Sequence, residues 1–241
     1  MKKSKEEYIS ELVERIMAKK NSFTIRYKDV SFSPKVVRVL EKLRDGKDVN
    51  IKALTSRERN DVGVCYWYGH IVALDYEEAV RWYMAAAEKG RCCRAEFNLY
   101  VCHKRGTGVE QDMEKAVFWI KKAAKHNDVS AQHILAEYYY KGNEVRRSRS
   151  LAKYWFDKCL ANPDLKEEPV VMFLLGISFQ QGDYGFEKDE ERAREFFETA
   201  AEGGCPLAVM KLVEIYNNYD RTKVVQWMGE NKEFVCYTFN L

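Results

Sequence analysis

A small-residue and aromatic signature returns along this chain at nearly constant spacing, and that recurrence restricts the possible folds more than any other feature. Ala79, Trp82, Ala86 and Ala87 come back 37 residues later as Ala116, Trp119, Ala123 and Ala124. Ala152, Trp155 and Cys159 follow after another 36 residues, and Ala193, Phe196 and Ala200 after 41 more. Gly69, Gly106, Gly142 and Gly182 keep the same step, as do Val62, Leu99, Leu135 and Leu175 ahead of them. Ala208, Leu212 and Tyr216 supply a last half-unit.

Each unit predicts two helices. In the first, apolar residues fall three or four apart, as in Ala131, Ile134, Leu135, Tyr138 and Tyr139. A glycine then ends it, because glycine takes the left-handed conformation that helix termini favour. Asp75 and Asp112 follow at the places where a side-chain oxygen can accept the free N–H groups opening the second helix. That second helix carries the Ala-Ala pair, small enough for close helix approach, with the Trp filling space beside it. One such pair cannot bury its own apolar faces, so stacked neighbours must complete the core. The expected class is all-α: a solenoid of antiparallel helix pairs, about four repeats plus a half-repeat and helical caps.

These residues resemble the Sel-one-like repeat family, relatives of the tetratricopeptide repeats. The second unit carries the pattern best, in Ala95-x3-Leu99, Gly106-x-Gly108-Val109, Asp112, Lys115-Ala116-x2-Trp119 and Ala123-Ala124. The resemblance covers roughly residues 57–218. It implies a right-handed superhelix that scaffolds protein–protein contacts, without catalysis. The chain departs from the pattern at several points. The first unit reads Gly69-His70-Ile71 where Gly-x-Gly is expected. The third has Ser148 for the loop aspartate and Leu160 for one small alanine, which suggests wider packing onto the following unit. Asn162 to Pro169 forms a longer connection.

The domain reading is 1–55 as a mainly helical extension or cap, 56–218 as the solenoid, and 219–241 as a capping helix and tail. Ser4-Lys5-Glu6-Glu7 is a capping box ahead of an apolar stripe, predicting a helix over 5–19. Phe23 to Tyr27 alternates as a short strand would. Ser33-Pro34 opens another helix that stops near Gly46, and Val224, Val225, Trp227 and Met228 point to a final one. Caps of this kind keep solenoid ends from exposing core residues.

The charge balance, 40 Lys and Arg against 37 Asp and Glu, argues against general nucleic-acid binding. The start has no apolar stretch of a secretory signal, and no run of about 18 apolar residues occurs to form a membrane span. Seven cysteines (Cys65, Cys92, Cys93, Cys102, Cys159, Cys205 and Cys236) are odd in number and do not recur as a pair in each repeat. They read as reduced thiols of a cytoplasmic protein, and without a C-x-x-C no structural zinc or other cofactor is expected.

Catalytic patterns are thin. Ser150-Leu151-Ala152-Lys153 matches the S-x-x-K of serine penicillin-recognising enzymes, but its companion motifs are missing. Cys102-His103 suggests a thiol–imidazole pair, yet adjacent helical residues point about 100° apart. A hydrolase built on Ser150 and Lys153, or on a reactive cysteine, is therefore the lesser reading, and no catalytic residue or metal ligand is assigned. Arg146-Arg147-Ser148-Arg149 is the densest basic cluster; it reads first as a solvated loop, and otherwise as a grip for phosphate or an acidic peptide.

The tetratricopeptide resemblance implies that the first helix of each unit lines a concave binding face. Register then assigns partner contacts to Trp67 and Tyr68 in the first unit, and to Arg94, Phe97, Val101, Lys104 and Arg105 in the second. The third contributes His133, Glu137 and Tyr140, and the fourth Phe173. Aromatic and Arg side chains dominate interface energetics. The expected function is a non-enzymatic scaffold that holds a peptide or folded protein there; the narrower alternative is a bacterial immunity or inhibitor protein occluding a toxin or effector.

Overall fold

In the computed structural model, residues 32–216 are described, together with Glu11 and Glu14, which are both helical. Otherwise the expected helix over 5–19, the strand at 23–27 and the helix near 224–228 lie outside the described residues. Contacts divide the chain into two compact units, one of residues 31–159 and one that groups residues 1–30 with 160–241.

The first unit opens with α1, Pro34–Arg44, where the Ser33 Oγ accepts from the Val36 amide at 3.3 Å as the sequence predicts. Its Val36, Val39 and Leu40 pack with Leu54 against Val62, Cys65, Val72 and Trp82, covering the apolar end of the first repeat. Three helix pairs follow: α2 (Ser56–Tyr68) with α3 (Tyr76–Lys89), α4 (Cys93–Arg105) with α5 (Met113–Lys125), and α6 (Val129–Lys141) with α7 (Arg149–Leu160). No strand occurs among the described residues.

The repeat signature explains each joint. Gly69, Gly106 and Gly142 close α2, α4 and α6 with φ between +69° and +79°, each donating its amide to a carbonyl four residues back. The chain then folds back so that the amides of Asp75, Asp112 and Ser148 reach the carbonyls of Tyr66, His103 and Tyr139 at 2.9–3.0 Å. Asp75 and Asp112 cap α3 and α5 by accepting the Glu78 and Lys115 amides at 2.9 Å, whereas Ser148 accepts from Leu151 at a longer 3.3 Å. The α7 first turn alone among these second helices holds no acidic residue.

Size matching sets the depth of contact within a pair. A Cβ on Gly63 would come within 2.7 Å of the Tyr83 ring, so α2 gives way where α3 is large. One repeat later Tyr100 takes the glycine's slot and the smaller Ile120 that of Tyr83, both fully buried in one apolar cluster.

The second unit is described by residues 160–216. A 3-10 turn, Pro163–Glu167, precedes α8 (Pro169–Gln181), α9 (Glu190–Glu202) and α10 (Pro206–Tyr216). Gly182 ends α8 in the predicted register, and Asp189, which the sequence reading did not single out, caps α9. Phe179 stacks on Phe196 at 5.5 Å and carries the Arg192 guanidinium 4.2 Å above its ring. No helix among the described residues is long and apolar enough to cross a membrane.

Candidate partner-binding surface

The α2, α4 and α6 helices place equivalent residues side by side in the first unit of structure. Asn60, Phe97 and His133 share one register; Val64, Val101 and Glu137 the next; Trp67, Lys104 and Tyr140 the third. Two polar bonds fix the spacing between these helices. The Asn98 Nδ2 donates to the Asn60 Oδ1 at 3.0 Å between α2 and α4, and the buried hydroxyls of Tyr100 and Tyr138 meet at 2.9 Å between α4 and α6.

On this scaffold most predicted contact residues are half-buried, with one side packed and the other open. Trp67 sets its ring edge-on to Tyr76 at 4.9 Å and leans on buried Tyr83. Tyr68 lies 5.9 Å from the His70 ring. Phe97 packs 5.7 Å from Tyr100, whose ring also carries the Lys104 ammonium at 5.4 Å. Val101 is half-buried beside them, while Arg94 and Arg105 are exposed at the two ends of α4. Burial draws the Lys104 ammonium below its ordinary pKa, Arg105 adds to that, and Glu137 and Glu144 oppose it. Glu137 itself pairs with Lys141, and Tyr140 is half-buried. On α2, burial lifts the Asp61 carboxyl above the usual range, and a side-chain hydrogen bond with Asn60, then Arg57 and Arg94, partly offset that lift.

His133 corrects the sequence reading. It is only 5% exposed, and its Nε2 has no hydrogen-bond partner among the described residues. Burial, ahead of its charged neighbours Glu137 and Lys141, holds the imidazole at about 4, so it is a neutral packed ring rather than a contact. Phe173 belongs to the second structural unit, where it lies half-buried, 5.6 Å from the Phe197 ring.

Register also held a buried polar slot that the sequence reading passed over. Arg59, Glu96 and Gln132 are equivalent, and each is less than a tenth exposed. The Arg59 Nη1 donates to the Ala85 carbonyl at 2.7 Å, and the Gln132 Nε2 reaches the Ala124 carbonyl at 3.3 Å. Between them Glu96, fully buried, meets His126 Nδ1 at 2.7 Å and Lys122 Nζ at 3.3 Å. Three unlike side chains thus tie the start of a first helix to the end of a second one. A sequence comparison restricted to apolar positions has no means of finding them.

The catalytic alternatives meet a different chemistry. The Ser150 hydroxyl lies 3.2 Å from that of Ser148, and the Lys153 ammonium is engaged by Asp157 at 3.2 Å. Cys102 is fully buried, with burial pushing its thiol up to about 12; Cys65 and Cys159 are held equally high. A thiol so far from ionising is a poor nucleophile. Among the described residues no three His, Cys, Asp or Glu converge as a metal site.

The Sel1 repeat family model matches residues 59–90, 94–128, 129–158 and 169–205, more than half of the chain. Chitin synthase regulatory factor 3 of Schizosaccharomyces pombe is 32% identical over 146 residues, and chitin synthase regulatory factor 2 of the same yeast is 26% identical over 161. Those stretches are 60% and 64% of this chain but only 16% and 31% of the relatives, so the chain spans less than a third of their length. Among solved structures, a Sel1 repeat protein from Oxalobacter formigenes is 27% identical with a TM-score of 0.56, covering 74% of this chain and 71% of that one. A protective antigen of uropathogenic Escherichia coli, c5321, shares the fold at 23% identity and a TM-score of 0.54, over 83% of this chain and 45% of its own. Matched repeat by repeat in sequence and likened in fold to solved members, this all-α helical-repeat chain belongs to the Sel1 repeat family.

Proposed function

We propose that the chain is a non-enzymatic scaffold that holds a peptide or folded protein against the face formed by α2, α4 and α6. The observation that carries this reading is the row of half-buried Trp67, Phe97, Val101 and Lys104, flanked by exposed Arg94 and Arg105. Rings already held by packing lose little freedom on binding, so their remaining exposed area is available to a partner at low entropic cost. The cations at both ends of α4 favour a partner whose apolar segment is bordered by acidic groups. Sel1 repeats are protein-interaction modules, and the yeast relatives are named as regulatory factors. Both facts support holding over chemical conversion.

The test begins with capture of partners by the full chain from its native host. It continues with Trp67→Ala, Phe97→Ala and Arg105→Ala against the captured partner. Each anchor lost should cost about 2 kcal/mol, roughly thirtyfold in affinity, with the helical circular dichroism spectrum unchanged. Full-strength binding by the folded triple variant moves the partner site off this face.

A further inference from the structure

The loops that join the two helices of the second and third repeats each border an open cleft, of about 420 and 520 Å³ respectively. The clefts are repeat equivalents. His103, Val109 and Gln111 line the first where Tyr139, Val145 and Arg147 line the second. Their chemistry is reversed. Glu110 of the second repeat becomes Arg146, the capping Asp112 becomes Ser148, and Lys115 becomes Leu151. In the second repeat Asp112 and Lys115 satisfy each other at 3.0 Å. In the third that internal pair is gone, and the cleft extends to Val117 and Lys121 on α5.

Beside the larger cleft lies apolar surface. Phe118, Leu151 and Tyr154 are 57%, 41% and 50% exposed, three of seven large hydrophobics left so open among the described residues. Phe118 stands three residues before Lys121, and Leu151 three before Tyr154, so each pair shares a helix face. Lys121 and Leu151 line the same cleft. Cations and apolar area therefore alternate across α5, the loop and α7, with Glu144 the single carboxylate in the cleft wall.

We propose that this cleft is a second docking surface, for an acidic protein segment carrying a large apolar side chain. The apolar chain covers Leu151 and its exposed neighbours, and Asp or Glu residues beside it meet Lys121, Arg146 and Arg147. Charge complementarity selects the occupant. A basic segment would leave three cations facing their like, whereas an acidic one neutralises them. An exposed apolar patch rimmed by such charge has the make-up of an interaction site. The surface is distinct from the first-helix face, since its lining comes from α5, α7 and the loop, with α6 contributing Tyr139. A chain with both would bring two partners together.

The test uses the full chain on an array of peptides about a dozen residues long, each with a central Leu or Phe and flanks drawn from Asp, Glu, Ser and Gly. Two matched arrays replace the acids by Lys and Arg, or the central residue by Ser. The expected result is binding to a subset of the first array at least tenfold above both controls, weakening as NaCl is raised. On the best peptide, Lys121→Glu with Arg146→Glu should cost at least tenfold in affinity. Leu151→Ser should do the same, and the neutral Arg146→Gln should cost less. Because the face on α2, α4 and α6 also favours an apolar segment bordered by acids, the best peptide is chosen from those that the Phe97→Ala, Arg105→Ala chain still binds, which separates the proposal from that site. Melting curves and circular dichroism establish that each variant is folded; Arg146→Gln and Leu151→Ser serve if the double charge reversal is not. No preference for the acidic array overturns the proposal, as does binding indifferent to the cleft variants or lost for every peptide with Phe97 and Arg105. Stronger association with vesicles of phosphatidylserine in phosphatidylcholine than with any peptide overturns it too, and assigns the patch to a membrane surface.

Discussion

His133 occupies the slot that Phe97 and Phe173 hold in neighbouring repeats, and its imidazole carries a cost that phenylalanine does not. Burial holds its folded-state pKa at about 4, against an ordinary value of 6.5, so the unfolded chain binds a proton that the folded chain refuses. Stability from this group is complete above about pH 6.5 and is lost as pH falls toward 4, because protonation draws the equilibrium to the unfolded side. Between pH 7 and pH 4.8 the parent should lose about 2 kcal/mol through this residue. His133→Phe uses the side chain that the repeat already accepts and should remove that part of the loss. Urea unfolding of both chains at the two pH values isolates the imidazole together with its electrostatic interaction with Glu137, since the remaining carboxylate titrations are common to both and cancel. An identical acid loss in the two chains would mean that the ring is not buried. Glu96, also fully buried, differs in having partners, His126 and Lys122.

At the scale of helices and turns, Gly108 marks where one repeat touches the next. Its φ is +71°, and a Cβ there would stand 2.2 Å from the Tyr76 carbonyl oxygen at the start of α3. Gly46 has a similar φ of +69°, but a Cβ there would meet nothing within 4 Å. Ala at Gly46 should therefore cost about 1 kcal/mol, the left-handed strain alone. At Gly108 the clash with backbone adds overpacking, for a total of roughly 2–5 kcal/mol. Equal urea midpoints for the two variants would show that the α4–α5 loop does not press on α3. The helices, their glycine stops and their aspartate caps were legible in the sequence because each is decided within a few residues. The face presented by α2, α4 and α6 was legible in part, since register names a face but not its neighbours. Phe97 and His133 share a register, yet one stays half-open and the other is sealed. The clefts behind Arg146 and Glu110 were invisible for a related reason: they form from a loop and helices separated along the chain, and their contrast emerges only once equivalent walls are superposed.

Across the first structural unit, Cys65, Cys102 and Cys159 place one fully buried thiol in each of three successive repeats. Each is pushed up to about 12 by burial, so alkylation at pH 8 requires that its repeat open. Solenoid stability is a sum of repeat and nearest-neighbour terms, and the neighbour terms decide whether repeats open together. Here they are large. One apolar cluster runs from Ala79 to Tyr138, with Trp67, Trp155 and Tyr139 packed against it, and the α1 cap closes on Cys65 and Val62. The three thiols should accordingly become reactive in a single transition. A short iodoacetamide pulse across a urea series, with each cysteine located by peptide mass spectrometry, reads three midpoints from one sample. Coincidence within about 0.5 M is the two-state expectation. Midpoints that separate in chain order would mean that repeats unravel one at a time. Rapid labelling of Cys102 without urea would go further, because it would place an ionisable thiol beside His103 in the folded protein and return the nucleophile reading that its burial now opposes.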